Sequence, residues 1–224
     1  MNFFINSPLY SLISGNFQGF ILSILYLLPA LVIAVSFHEA AHAWMANKMG
    51  DPTARNLGRL TLDPTKHFDI WGFAMMIFIG FGWGKPVPTN PRNYYNYKKG
   101  NVLVALAGVI TNLILSFLFF GLFYLLLFVF RLNNNIIYQI IINIIVVNIV
   151  LCFFNLIPIP PLDGHHLVKG FIARRSQRFY FMYQRYGFLV LMILLLATDY
   201  VVIALNYLVI LVTNLYSLFF GLFV

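Results

Sequence analysis

Two histidines and a glutamate stand together as His38-Glu39-Ala40-Ala41-His42 within a long apolar stretch of the sequence. On a helix, side chains at positions i and i+4 project from one face, so the two imidazoles can bind a single metal ion. The glutamate between them lies close enough to exchange protons with a water on that ion. Glu39 is also the only glutamate of the chain. The pattern predicts a zinc site with its own general base.

A catalytic zinc ion takes three protein ligands and leaves one position open, so the two histidines need a third partner. Asp163 is the favoured candidate, because three prolines within residues 155–164 keep the chain before it out of regular helix. The backbone N–H and C=O groups that lose their helical partners in this way are tolerated inside a membrane only where protein groups or a water-filled cavity supply hydrogen bonds. The other acids lie in the loop after the histidines or at a predicted outer turn: Asp51, Asp63, Asp69 and Asp199. An alternative stays open, in which these polar groups only form hydrogen bonds between helices.

The segments that must position these residues are strongly apolar. Of 224 residues, 61% are hydrophobic and 9% are charged, which leaves too little polar surface for a water-soluble domain. We therefore predict an all-α, multi-pass membrane protein, a single domain over residues 1–224 with about five transmembrane helices and one re-entrant segment. The zinc helix is predicted at 17–47, the re-entrant segment at 70–88, and the other spans at 101–130, 136–157, 179–198 and 200–223. The last two could instead form one long tilted span.

The re-entrant prediction concerns a short apolar stretch at residues 70–83. It is too short to cross a membrane comfortably, and Gly72, Gly80 and Gly82 make it a poor helix by composition. We interpret it as a hairpin that dips into the membrane and returns. The charges agree, because 13 of the 14 basic residues then lie on one side of the membrane and only Arg131 lies on the other.

This charge distribution also gives an orientation. Basic residues accumulate in cytoplasmic loops, so we expect the N-terminus outside the cell membrane and the zinc site opening towards the cytoplasm. Because topology accounts for the net charge of +8, nucleic acid is not an expected partner. The basic run Arg174, Arg175 and Arg178 is expected to contact anionic lipid. Cys152 is the only cysteine, which excludes a cysteine-based zinc cluster.

The motifs together resemble the site-2 protease family of intramembrane zinc metalloproteases. The likeness rests on His38-Glu39-Ala40-Ala41-His42 and on residues 155–164, which match the family's Asn-x-x-Pro and Leu-Asp-Gly motifs. It extends over about residues 34–167 and further includes Pro64 with His67 and Asp69, the run from Gly82 to Pro88, and Ala107-Gly108 with Asn112. Val109 departs from the family pattern, which has a proline there. The chain is expected to be a compact form without appended regulatory domains.

The resemblance implies a role for each matching residue. His38, His42 and Asp163 would bind one zinc ion per chain, Glu39 would be the general base, and Asn155 would place substrate or stabilise the oxyanion. Contacts with substrate are expected from Gly82, Gly84 and Asn112. The short segment around these glycines could capture an unwound substrate by strand addition, or it could only plug the helix bundle.

The expected function is hydrolysis of peptide bonds in or near transmembrane segments of membrane-protein substrates. Two rival functions remain, a catalytically silent zinc-bound membrane chaperone or receptor and a metal-ion transporter. A homo-oligomer or a regulatory membrane partner also stays open.

His165 and His166 are expected to cap the following helix or line the cytoplasmic mouth, with a role as an extra ligand left open. His67 and Asp69 are expected to pair in a loop or to contact substrate.

Overall fold

The computed structural model describes residues 8–79 and 82–223, and its secondary structure is helical throughout. Within these residues no strand extends beyond one isolated β-bridge. The α-helices are α1 Pro8–Ile13, α2 Phe17–Lys48, α3 Thr53–Asn56, α4 Ile70–Ile79, α5 Tyr97–Tyr124, α6 Asn135–Asn155, α7 Gly164–Arg175, α8 Gln177–Ala197 and α9 Tyr200–Phe220.

Among the described residues, five helices are long and apolar enough to cross a membrane. Their bounds are Phe17–Lys48, Tyr97–Val129, Asn135–Asn155, Gln177–Ala197 and Tyr200–Phe223. The second of these combines α5 with a π-helical continuation over Leu125–Val129. α8 and α9 are separate helices, since Thr198 and Asp199 interrupt them. These helices confirm the prediction of an all-α, multi-pass membrane protein.

The helices α2, α5 and α6 form the centre of the bundle, and small side chains let α2 and α5 approach closely. Ala30 and Ala34 of α2 are fully buried, and Ala105 and Gly108 of α5 are buried as well. In lipid, helices associate through such close packing rather than through exclusion of water. α9 packs beside them in an aromatic cluster, where the Tyr216 hydroxyl lies 3.0 Å from Oγ of Ser116.

The segment after residue 69 differs from the expectation in its local structure. Residues 70–79 form helix α4, so the prediction that glycine disfavours a helix there was wrong. Of the glycines in this segment, only Gly72 lies within the described helix. The backbone of Trp83 packs directly against it, because a Cβ added to Gly72 would lie 2.1 Å from the carbonyl oxygen of Trp83. A Cβ on Gly82 would likewise lie 2.0 Å from the carbonyl oxygen of Gly72. Gly80 lies outside the described residues.

The chain after α4 therefore returns directly along the helix that it has just left. At the base of this excursion Phe68 pairs with Gly84 in an antiparallel bridge, and the Lys85 N–H donates to the His67 carbonyl at 2.8 Å. At the far end, the ring of Phe78 stacks on Phe20 near the start of α2. A segment that starts and ends at one level has the shape expected of a re-entrant element. Its depth in a membrane stays a prediction.

Asp51 joins the end of α2 to the loop that leads into α5. It is fully buried, and its carboxylate accepts hydrogen bonds from the Asn90 N–H at 2.6 Å, from Nδ2 of Asn93 at 2.8 Å and from the Thr53 N–H at 3.1 Å. Burial opposes ionisation of this carboxyl, but the hydrogen bonds from Thr53, Asn90 and Asn93 outweigh it and lower the pKa of Asp51 below its ordinary value.

We expect Asp51→Ala to lower the free energy of unfolding in detergent by about 1–3 kcal/mol, because it leaves several donors without their acceptor. A folded-state pKa below the unfolded value means that this stabilisation is complete above about pH 4 and is lost as the pH falls further. Equilibrium unfolding at several pH values measures both effects. Asp63→Ala is the control, since Asp63 is exposed and should matter less. Equal effects of the two substitutions would contradict the role of Asp51.

Candidate active site

Three possible metal ligands from distant parts of the chain converge at the centre of the bundle. His38 and His42 are buried on the inner face of α2, and Asp163 precedes α7. Oδ2 of Asp163 lies 3.0 Å from Nε2 of His38 and 3.2 Å from Nε2 of His42, and the two nitrogens are 3.0 Å apart. This is the only group of three or more histidine, cysteine or acidic ligands found among the described residues.

The spacing of these atoms fits a zinc ion. Nitrogen and oxygen ligands bind zinc tetrahedrally at about 2.0 Å, which sets the ligand atoms about 3.3 Å apart. The observed separations of 3.0 to 3.2 Å are close to that value. Nδ1 of His42 donates a hydrogen bond to the Val104 carbonyl at 2.7 Å, so the Nε2 lone pair of His42 faces the other two ligands. The donor set is therefore suited to hold zinc.

Gly108 of α5 provides the space in which the two imidazoles meet. A Cβ at this position would lie 2.6 Å from Nε2 of His42 and 2.6 Å from Cε1 of His38. Sequence reasoning noted Gly108 only as part of a family resemblance and missed its steric role. It also missed Val104, because a backbone carbonyl carries no signal in the sequence.

A compact turn after α6 positions Asp163. Prolines 158, 160 and 161 end the helix, and a Cβ on Gly164 would lie 2.3 Å from the Leu156 carbonyl oxygen, so the chain folds tightly back on itself. α8 supports this turn from outside. The Tyr183 hydroxyl donates to the Pro158 carbonyl at 2.6 Å, and Gly187 packs against the ring of Pro160.

Glu39 lies beside the three ligands and is held by the loop that follows α4. Its Oε2 accepts a hydrogen bond from the Val87 N–H at 2.9 Å. Glu39 also lines a cavity of about 480 Å³ together with His38, Asp163, Asn155 and Gly84. Gly82 is in the same wall, and much of the remaining lining is apolar: Val35, Met76, Leu151, Phe154, Phe188 and Leu191. Most of the residues singled out in the sequence thus border one cavity.

Asn155 and Asn112 differ in their relation to this cavity. Asn155, at the end of α6, borders the cavity, and its Nδ2 donates one hydrogen bond to the Leu151 carbonyl at 3.0 Å. Asn112 is fully buried inside the bundle and is absent from the walls of the cavity. Gly82 and Gly84 therefore border the same cavity as Glu39 and Asp163, whereas Asn112 does not border it.

A second, smaller cavity of about 160 Å³ lies against the same centre. Glu39, His42 and Asp163 form part of its wall, and the rest combines prolines, valines and an alanine with four polar side chains: Thr89, Tyr94, Asn101 and His166. Burial, followed by the nearby positive charges of His165 and Lys169, lowers the pKa of His166 to about 4. His166 is therefore neutral at physiological pH.

The remaining histidines have local partners. Nδ1 of His165 donates to the Leu162 carbonyl at 2.9 Å, and Nε2 of the fully buried His67 donates to the Thr61 carbonyl at 2.7 Å. Asp69 caps α4 by accepting from the Gly72 N–H at 2.9 Å. His67 and Asp69 thus bond to other groups rather than to each other.

Comparison with known proteins agrees with this geometry. The model of peptidase family M50 matches residues 26–141 and 131–198. YwhC of Bacillus subtilis is 38% identical over 176 residues, which cover 75% of this chain and 79% of YwhC. MJ0611 of Methanocaldococcus jannaschii is 30% identical over 156 residues, covering 66% of this chain and 72% of that protein. Rip2 of Mycobacterium tuberculosis is 26% identical over 170 residues, covering 74% of this chain and 64% of Rip2.

Each of these three relatives carries the name "Putative zinc metalloprotease". No solved structure gives a significant match. The family match covers well over half of the sequence and includes five of the predicted site residues: His38, Glu39, His42, Asn155 and Asp163. The chain belongs to peptidase family M50, the site-2 protease family of intramembrane zinc metalloproteases.

Proposed function

We propose that this protein hydrolyses peptide bonds in or near transmembrane segments of other membrane proteins, with His38, His42 and Asp163 as zinc ligands and Glu39 as the general base. The observation that carries the proposal is the convergence of three ligand atoms within 3.2 Å of one another, beside a carboxylate, at the edge of a largely apolar cavity. An apolar cavity of this kind suits the side chains of a transmembrane segment.

When bound, a zinc ion supplies a Lewis acid for the scissile carbonyl and lowers the pKa of its water towards neutrality. Glu39 takes a proton from the attacking water and delivers it to the leaving amine. One carboxylate oxygen of Glu39 accepts the Val87 N–H, which holds the side chain at the cavity and leaves the other oxygen for the proton. Asn155 uses one amide hydrogen on the Leu151 carbonyl, and its second is available to the developing oxyanion.

The loop after α4 is proposed to bind the substrate as an added strand. The Lys85-to-His67 hydrogen bond flanks the Phe68–Gly84 pair, so the N–H and C=O groups of Gly84 point away from Phe68. An unwound peptide can pair with this outer edge, because Gly84 borders the cavity that contains Glu39. Gly82 lies two residues earlier in the same wall and would extend the contact.

Arg59 fixes this edge from behind. It is buried, and its Nη2 donates to the Lys85 carbonyl at 2.7 Å and to the Pro86 carbonyl at 3.3 Å. Hydrogen bonds from a charged donor are stronger than neutral ones, so Arg59 keeps the loop in one conformation. A segment that served only as a plug would not need an ordered edge facing the general base.

The proposed orientation has the N-terminus outside the cell and the site opening towards the cytoplasm. It rests on the distribution of basic residues, because the proposed topology puts 13 of the 14 on the side of the membrane where α2 ends. The proposed partners are membrane-protein substrates and lipid, and a homo-oligomer or a regulatory membrane protein remains compatible with the chain.

The two rival functions have less support. A silent zinc-bound chaperone or receptor has no need of Glu39, which is kept here beside the ligands and bonded to Val87. A metal transporter requires further sites along a path, but the described residues contain one cluster of three or more ligands. The family match also favours the protease over both alternatives.

Glu39→Gln should keep zinc and lose proteolysis, because it preserves shape and removes the base. We expect cleavage of a co-expressed single-span substrate to fall by about 10²–10⁴. Zinc content of the purified variants is the second measurement, in which His42→Ala and Asp163→Asn should lose metal as well as activity. Normal cleavage by Glu39→Gln would refute the base, and full zinc content in both ligand variants would refute the ligand set.

Gly108→Ala tests the space between the imidazoles. Its Cβ would lie 2.6 Å from Nε2 of His42, so the ring must move and zinc binding should be lost. Gly170→Ala is the matched control, since a Cβ there meets nothing within 4 Å and should leave zinc content unchanged. Zinc quantified per mole of folded protein distinguishes the two. Equal zinc content in both variants would rule out the close approach of α5 to the site.

Arg59→Gln tests the substrate edge. Loss of the charged hydrogen bonds, worth about 1.5–3 kcal/mol, should reduce kcat/KM at least about tenfold, while zinc content stays at the wild-type level. Arg55→Gln removes an exposed charge from the same loop and serves as the control. Cleavage rates at limiting substrate give the comparison. An unchanged rate for Arg59→Gln would favour the plug over the substrate strand.

A further inference from the structure

His38 has one polar atom that the zinc site does not use. Its Nε2 faces Asp163 and His42, whereas its Nδ1 is buried and has no hydrogen-bond partner among the described residues. A metal-bound histidine normally donates its second ring N–H to a carbonyl, a carboxylate or a water, which fixes the ring and its tautomer. His42 meets this need at the Val104 carbonyl. His38 requires an acceptor of its own.

Asn112 is a second buried polar group that lacks a partner. Its side chain is 0% exposed, and within the described part of the chain neither its Oδ1 nor its Nδ2 has a hydrogen-bond partner. An unpaired buried amide costs about 1–3 kcal/mol, and bulk water is absent from the interior of a membrane bundle. Other buried groups of the described chain, such as Ser36 and Asn148, also have an unpaired polar atom, so the placement of the helices decides whether His38 and Asn112 can share a water molecule.

The packing of α2 against α5 directs the two side chains towards each other. His42 contacts Val104, and a Cβ on Gly108 would lie 2.7 Å from Nδ1 of His38, so the helices run antiparallel. Asn112 lies one turn, about 6 Å, beyond Gly108 on the same face of α5. Each Cα–Cβ bond tilts towards the N-terminus of its own helix. His38 therefore leans towards the level of Asn112, and Asn112 leans back towards His38.

The opposite helix leaves room for this contact. Ala34 lies one turn before His38 on α2 and is fully buried, so only a methyl group stands at the level of Asn112. Asn112 is also absent from the walls of both cavities, which leaves its carboxamide without a substrate to bind there.

We propose that Asn112 is a positioning residue for the metal site. Because neither Nδ1 of His38 nor Oδ1 of Asn112 has a partner among the described residues, the contact runs through one buried water. The Nδ1–H of His38 donates to the water, the water donates to Oδ1 of Asn112, and the Nε2 lone pair of His38 is thereby held towards zinc. This inference rests on the proposed assignment of His38 as a ligand. It gives Asn112 a role at the metal in place of the contact with substrate expected from the sequence.

Asn112→Leu tests the inference, because it keeps the number and branching of the side-chain heavy atoms and removes the acceptor. Competition with a chromogenic chelator on the full chain in detergent should give a zinc dissociation constant about 10- to 100-fold higher than wild type. The absorption spectrum of the Co²⁺-loaded protein should change as well, since the ring of His38 loses its fixed orientation. Asn112→Ala should show the same shift and covers the case in which leucine does not pack.

Asn148→Leu is the matched control. Asn148 is also 0% exposed, and its Oδ1 also lacks a partner among the described residues, but it lies on α6 and its Nδ2 donates to the Ile144 carbonyl of the same helix at 2.8 Å. It should keep wild-type zinc affinity. Equal dissociation constants for the Asn112 and Asn148 variants would overturn the inference. His38→Ala, measured alongside, separates the claims: zinc retained there refutes the ligand assignment, whereas zinc lost there but kept in both Asn112 variants refutes only the role of Asn112.

Discussion

The constraint on which the structure depends is the need to bring two imidazoles and a carboxylate within about 3 Å of one another inside a bundle that faces lipid. Ionisable groups inside such a bundle are tolerated only when they face each other, a cation or water. The proposed ligands come from α2 and from the turn after α6, so the packing of both elements sets the geometry of the site. Gly108 lets α5 approach the imidazoles, and the Val104 carbonyl orients one of them.

The loop that carries the proposed substrate edge depends on the same centre. Asp51 ties its far part to the end of α2, Arg59 holds two of its carbonyls, and Val87 binds Glu39. None of these contacts belongs to a sheet or a helix ladder. At each of these three places a charged or buried side chain, rather than a ladder of backbone hydrogen bonds, fixes the backbone of the loop. This explains how a segment with only one isolated β-bridge can present an ordered edge.

Much of this arrangement could be predicted from the sequence, because the signals were chemical and local. Glu39 between two histidines, and Asp163 after three prolines, are rare polar groups in an apolar chain, and five apolar stretches were long enough to count. The helix at 70–79 was missed because composition does not reveal which glycine lies inside a helix and which follows it. Val104 and Gly108 were missed for another reason, since a carbonyl and an absent side chain act only through tertiary packing.

Glu39 and Asp163 line both cavities, and the linings differ: the first is mainly apolar with leucine and phenylalanine side chains, and the second is more polar, with hydroxyl, amide and imidazole groups among prolines and valines. The proposed catalytic centre therefore lies where a mainly apolar cavity meets a more polar one. An apolar peptide segment and a water molecule differ in polarity, and the linings of the two cavities differ in the same way. The apolar cavity suits a transmembrane peptide and the more polar cavity suits water, and the carboxylates of Glu39 and Asp163 border both.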